Sequence, residues 1–174
     1  KISYSWAQLY EWNHYGDKSN LHISNSLSTL SKNWIHLFTY RAVDRGSRAA
    51  FAGGVLLDHN GNWIFGFNRF LEKCNIFEAE LCGILGGMTT PLSNGFNRVV
   101  IHIDNLESLK NMNTERRWLI QHVPREDNLV VDYLTKLSSK ERTSLQIYDE
   151  CSHVASEILI QDKARGVIGQ MNLM

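Results

Sequence analysis

A chain of 174 residues with 43% hydrophobic content is the length of one domain able to bury a core of its own, which excludes a disordered tail. Lysine plus arginine and aspartate plus glutamate stand at 18 each, so no global positive field draws in nucleic acid and any such binding must come from a local patch. No apolar run approaches the roughly 18 to 20 residues that cross a bilayer, which excludes a membrane-spanning helix.

Residues 1–33 mix aromatics with Asn, Ser and His without a sustained period, and read as an extension or linker. From Trp34 the texture changes. WIHLFTY is rich in β-formers, and FAGGVLL, DHNGN and WIFGF read as two strands around a turn in which Asn60-Gly61 supplies the positive φ of a tight hairpin. Next, Phe77, Leu81, Ile84, Leu85 and Met88 recur at three and four residues, one apolar face of a helix that Pro91 and SNG close. RVVIHID is a near-continuous apolar run, the pattern of a strand buried on both faces, with Asp104 at its carboxyl end. WLIQHV is a further strand. PREDN then starts a helix over LVVDYLTKL, with Asp127 or Asn128 as N-cap.

The tail from Ser138 holds one more amphipathic segment around Val154 to Ile160. The order is three strands, a helix, a strand, a short connection, a strand and a helix, which argues for an α/β sheet of mixed direction. The opening KISYSW lacks the charged-then-apolar layout of a secretory signal, and Cys74, Cys82 and Cys151 are an odd number with no CxxC pair. A soluble, intracellular protein with free thiols is expected.

Three carboxylates stand at strand ends or on helix faces: Glu80, Asp104 and Asp132. Asp104 falls at the carboxyl edge of a central strand, where open α/β sheets bind ligands. Glu80 lies roughly 70° from the centre of its helix's apolar stripe at ~100° per residue, and Glu78 lies almost as close on the other flank, so periodicity does not choose between them. Converging carboxylates make a hard-oxygen site suited to Mg²⁺, and paired ions can clamp an in-line phosphoryl displacement. Singly, each acid is as well explained as a turn starter or a solvated helix residue. His102, alternating with apolar residues, reads as a core histidine. Trp63, Phe65 and Phe67 suit either base stacking or a docked helix. Arg41, Arg45 and Arg48 suit either phosphates or a solvated loop.

Together, AGGVLLDHNGNWIFGF, FEAELCGIL, IHIDNLES and VPREDNLVVDYLTK resemble the ribonuclease H family. The likeness is to the plant ribonuclease-H-like domains found alone or at the end of non-LTR retroelement reverse transcriptases, and it covers roughly Trp34 to Leu137. It implies a five-stranded mixed sheet, three antiparallel strands then two parallel ones, with flanking helices. The chain then divides into an extension at 1–33, the ribonuclease-H-like domain at 34–138 and a tail at 139–174. The resemblance further implies hydrolysis of the RNA strand of an RNA/DNA hybrid by two Mg²⁺ ions. It puts catalysis and metal binding on Glu80, Asp104 and Asp132, choosing Glu80 over Glu78, and substrate contacts on Asn105, Arg125 and Asn128.

The chain departs from that pattern. The family's first-strand Asp falls on Tyr40 and the Gly after it on Arg41. A phenol is a poor Mg²⁺ ligand, and a guanidinium brings fixed positive charge that could pair with Asp104 or Glu80 in the metal's place. Asp44 lies about 13 Å further along an extended strand at ~3.3 Å per residue and does not substitute. Residues 105–117 form a shorter connection than the family's helix-bearing one, and neither His122 nor Arg125 matches its loop histidine firmly. The expectation is a nucleic-acid-binding domain of impaired catalysis. The alternatives are an active hydrolase, a non-catalytic protein-interaction module or a decayed retroelement remnant.

Overall fold

The computed structural model describes residues 34–166 other than 45, 94–95, 97, 105–117 and 143. Three long strands come first: β1 (Ile35–Val43), β2 (Ala49–Leu57) and β3 (Trp63–Lys73). Helix α1 (Ile76–Ser93), β4 (Val99–Ile103) and β5 (Trp118–His122) follow. A single tight turn of helix (Arg125–Asp127) leads into α2 (Leu129–Glu141), then β6 (Gln146–Tyr148) and α3 (His153–Ala164). The sheet order is β5-β4-β1-β2-β3-β6, with β1 and β2, β2 and β3, and β3 and β6 antiparallel, and β1 and β4, and β4 and β5, parallel. This is the expected mixed sheet with one correction: it has a sixth strand. Gln146, Ile147 and Tyr148 pair with Asn68, Phe67 and Gly66 on the outer edge of β3. Three residues are too short a run for alternation to announce a strand.

The β2–β3 hairpin is held by Asp58, whose carboxylate accepts the backbone N–H of Asn60 and of Asn62, both at 2.8 Å, while Gly61 takes φ 74°. Helix α1 opens with a reciprocal cap, Asn75 Oδ1 accepting from Glu78 N–H and Glu78 Oε2 accepting from Asn75 N–H. It runs through Pro91 and closes at Ser93, the first residue of the SNG that the sequence marks as its end. The missing proline N–H removes one hydrogen bond near the end of the helix without ending it.

Alternation along β1 divides the core. Leu37 joins Leu56, Phe65, Phe67, Ile84 and Met88 beneath α1, while Phe38 and Tyr40 join Val55, Leu57, Val130, Leu134 and Leu159 beneath α2 and α3. Each such side chain, fully buried, contributes about 1.5–3 kcal/mol. Two glycines set how closely the helices approach: a Cβ on Gly53 would lie 2.3 Å from Thr135 Oγ1 on α2, and one on Gly87 2.4 Å from Leu37. A register shift separates the pairs Leu56–Phe65 and Leu57–Trp63, so Trp63 falls on the α2 side while Phe65 and Phe67 pack under α1. The three aromatics therefore serve helix docking. Cys74, Cys82 and Cys151 are free thiols, and among the described residues no helix is long and apolar enough to cross a membrane.

Candidate functional site

The carboxyl ends of β1 and β4 lie side by side, because the two strands are parallel and in register from Ile35 opposite Val99 to Phe38 opposite His102. Asp104 follows β4 directly. Glu80 comes in from α1, and Asp132 from the first turn of α2 on the other face of the sheet. The site thus gathers one acid from each face and one from the edge between them.

On the α1 side, Glu80 is buried and its Oε2 lies 2.8 Å from Arg41 Nε. The contact is an ion pair rather than an aligned hydrogen bond, since neither Glu80 oxygen has a hydrogen-bond partner among the described residues. Burial pushes the Glu80 carboxyl up to about 7; Arg41 pulls it down and Asp104 pushes it further up. Asp104 adds a buried Oδ1 that has no hydrogen-bond partner among the described residues. Glu78, the competing glutamate, is taken up by the Asn75 cap.

On the α2 side, Tyr40 is buried against the helix and pairs across the sheet with Gly53. The Arg125 guanidinium lies 4.9 Å from the centre of the Tyr40 ring and 3.3 Å from Asp132 Oδ1. Lys136 closes on the other oxygen of Asp132 one helical turn away. Burial raises the Tyr40 phenol above its ordinary value; Arg125 lowers it, Asp132 and Asp104 raise it, and Arg41 lowers it. These residues are electrostatic neighbours across the strand ends.

Asn128 occupies the N-cap position of α2, but its side chain does not cap the helix. Instead its Nδ2 donates to the carbonyl of Thr39 at 3.2 Å, tying the start of α2 to β1. The cap comes from the tail: Asp162 on α3 accepts from the N–H of Leu129 at 3.1 Å and of Val130 at 2.9 Å. Nothing in the local sequence of α2 announces a carboxylate over thirty residues away. Asn105 lies outside the described residues, as do Arg45 and the 105–117 connection. Asp44 has its carboxylate engaged elsewhere. It caps its own loop, accepting from Gly46 N–H at 2.9 Å and Ser47 Oγ at 2.7 Å. Arg48 is an exposed loop residue at φ 58°, and His122 is exposed at the end of β5.

His102 is a core histidine. It stacks on Phe38 with ring centres 4.0 Å apart, and its Nε2 lies 3.0 Å from Nδ1 of His36, a partner that sequence reasoning missed although both alternate with apolar residues on neighbouring strands.

The buried oxygens of Glu80 and Asp104, without hydrogen-bond partners among the described residues, are those a hard cation would seek. The rest of the arrangement does not fit a two-ion centre. Arg41 already stands at Glu80, Asp132 is paired with Arg125 and Lys136, and among the described residues no three of His, Cys, Asp and Glu come together as a metal-holding group. As placed, Glu80 is paired with Arg41 and Asp132 with Arg125 and Lys136, and among the described residues Asp104 has no such cation.

Residues 39–120 match the family described as reverse-transcriptase-like. A curated Arabidopsis thaliana protein, provisionally named a ribonuclease H protein, is 25% identical over 150 residues; the match takes in 74% of this chain, which spans about a quarter of that relative's length. Among solved structures, ribonuclease H1 of the halophilic archaeon Halobacterium salinarum superposes with a TM-score of 0.53 at 18% identity, over 62% of this chain and 98% of the other. A ribonuclease H1 isolated from compost by metagenomics gives 0.55 at 17% identity, over 63% and 98%, and its complex with an RNA/DNA hybrid gives 0.54 at 14%, over 62% and 98%.

Proposed function

We propose, from the premise that this chain carries a ribonuclease-H-like domain, that it binds nucleic acid of the RNA/DNA hybrid class and that its catalysis of RNA-strand hydrolysis is impaired. The observation that carries the reading is Tyr40, a buried phenol beneath Arg125, at the position where the resemblance calls for the first metal-binding Asp. Its neutral ring offers a divalent ion no carboxylate, and active sites of this kind act as a unit, losing several orders of magnitude when one member is gone. Support for hybrid binding comes from the compost enzyme, solved with an RNA/DNA hybrid, and from the exposed guanidinium of Arg125 beside the site. In this reading Glu80, Asp104 and Asp132 are what is left of the catalytic and Mg²⁺-binding set, and the exposed Arg125 is the residue that meets substrate, while the buried Asn128 holds α2 to β1. The free thiols favour an intracellular setting.

The test is cleavage and binding of a labelled RNA/DNA hybrid by the native chain and by the Tyr40→Asp, Arg41→Gly double variant, in Mg²⁺ and in Mn²⁺. The native chain binds with an affinity that falls as salt rises, as counterion release requires, and does not cleave. The double variant cleaves. Cleavage by the native chain overturns the impairment, and salt-insensitive or absent binding overturns the nucleic-acid reading.

A further inference from the structure

Glu80 and Asp104 bring to one site buried oxygens without hydrogen-bond partners among the described residues, and such a pair of carboxylates in low-dielectric surroundings calls for a cation. The chain supplies one, Arg41 Nε at 2.8 Å from Glu80 Oε2. We infer that Arg41 is this domain's built-in replacement for a divalent ion at Glu80, beside Asp104, and that it closes the site to Mg²⁺ and Mn²⁺. The inference rests on the reading of those two acids as the carboxylates of a ribonuclease-H-like centre.

Three features make the replacement permanent. A guanidinium does not lose its proton in a protein, so no accessible pH vacates the position. Its side chain is only 18% exposed and is carried by a central strand, so it cannot swing into solvent without leaving Glu80 buried and unpaired. The residue before it, Tyr40, faces the opposite side of the sheet, so the two substitutions act on separate faces and changing Tyr40 alone leaves Arg41 in place. The cations at Asp132 are different in kind. Arg125 and Lys136 are 60% and 64% exposed, and such pairs are weak and easily exchanged. Metal access is therefore decided at Arg41.

Thermal melts in EDTA, Mg²⁺ and Mn²⁺ test this on the full chain, with Arg41→Gln and the Arg41→Gln, Asp104→Asn double variant alongside. The native chain melts at the same temperature in all three. Arg41→Gln melts about 5 °C or more lower in EDTA, because a buried charge has lost its partner, and regains the loss saturably with Mn²⁺. Adding Asp104→Asn abolishes that recovery. Should Arg41→Gln be unfolded in EDTA, its folding on addition of Mn²⁺ is the expected result, and failure to fold with the metal overturns the inference. So does saturable Mn²⁺ stabilisation of the native chain that disappears with Asp104→Asn. Hybrid binding by the native chain in EDTA is followed in parallel. Its absence, with the metal results as expected, would sink the nucleic-acid reading and leave the role of Arg41 standing.

Discussion

Replacing Glu80 by Gln changes how stability depends on pH, and the sign follows from burial. The Glu80 carboxyl is pushed from 4.5 up to about 7, first by desolvation and then by Asp104, against the pull of Arg41. A carboxyl with its folded value above its unfolded one favours the fold in its protonated form. Its contribution is full below pH 4.5 and is lost as the pH rises through about 7. The gap, at ~1.36 kcal/mol per pH unit, amounts to roughly 3 kcal/mol, and with the side chain 0% exposed it is not discounted for solvent screening. Gln is nearly the same shape and cannot ionise. Urea denaturation of both proteins at about pH 5 and about pH 8.5 isolates the effect, with the native chain losing roughly 2 to 3 kcal/mol relative to the variant. Parallel pH curves would refute the reasoning, showing that Arg41 holds Glu80 ionised in spite of its burial.

The His36–His102 pair works in the other direction: burial lowers His36 to about 4 and His102 well below 6.5, so stability present above pH 6.5 is lost as the pH falls toward about 4. For His36 alone this is ~3 kcal/mol, and replacing both rings with Leu flattens the acid limb of the stability profile; a slope that survives would assign the protons elsewhere. Asp162→Ala removes two charge-assisted bonds and strands the amides of Leu129 and Val130, at a cost of ~3 kcal/mol in urea denaturation and with faster hydrogen exchange at those amides. A cost below ~1 kcal/mol would show the cap to be dispensable.

The parts of the fold legible in the sequence were those with local periodicity. Leu81, Ile84 and Met88 on one helical face, the Asn60-Gly61 turn and the apolar run before Asp104 each carry their structure within a few residues. The surroundings of the site depend on contacts that no period encodes. Asn128 has an N-cap's identity and position, yet its side chain reaches β1, because Asp162 has taken over capping from the far end of the chain. The choice of Glu80 over Glu78 was open from spacing alone, and the Asn75 cap that occupies Glu78 becomes legible once Asn75 and Glu78 are read as a reciprocal pair. That Arg41 could pair with Asp104 or Glu80 came from the resemblance, which sets it beside the first-strand position; the contact with Glu80 is seen only in the folded chain.

The short β6 has a consequence for how copies of this chain behave toward one another. Strand β3 is 11 residues long and outermost of the three antiparallel strands, with Phe67 and Phe70 along it, so bare it would offer a neighbour a template for edge-to-edge growth. By covering Gly66, Phe67 and Asn68, three residues of β6 occupy the middle of that edge, and Trp63 fixes them there through its indole N–H, which donates to the carbonyl of Tyr148 at 3.2 Å. Trimming the chain after α2 would therefore bare that edge as an aggregation seed, and would at the same time take the Asp162 cap from the start of α2.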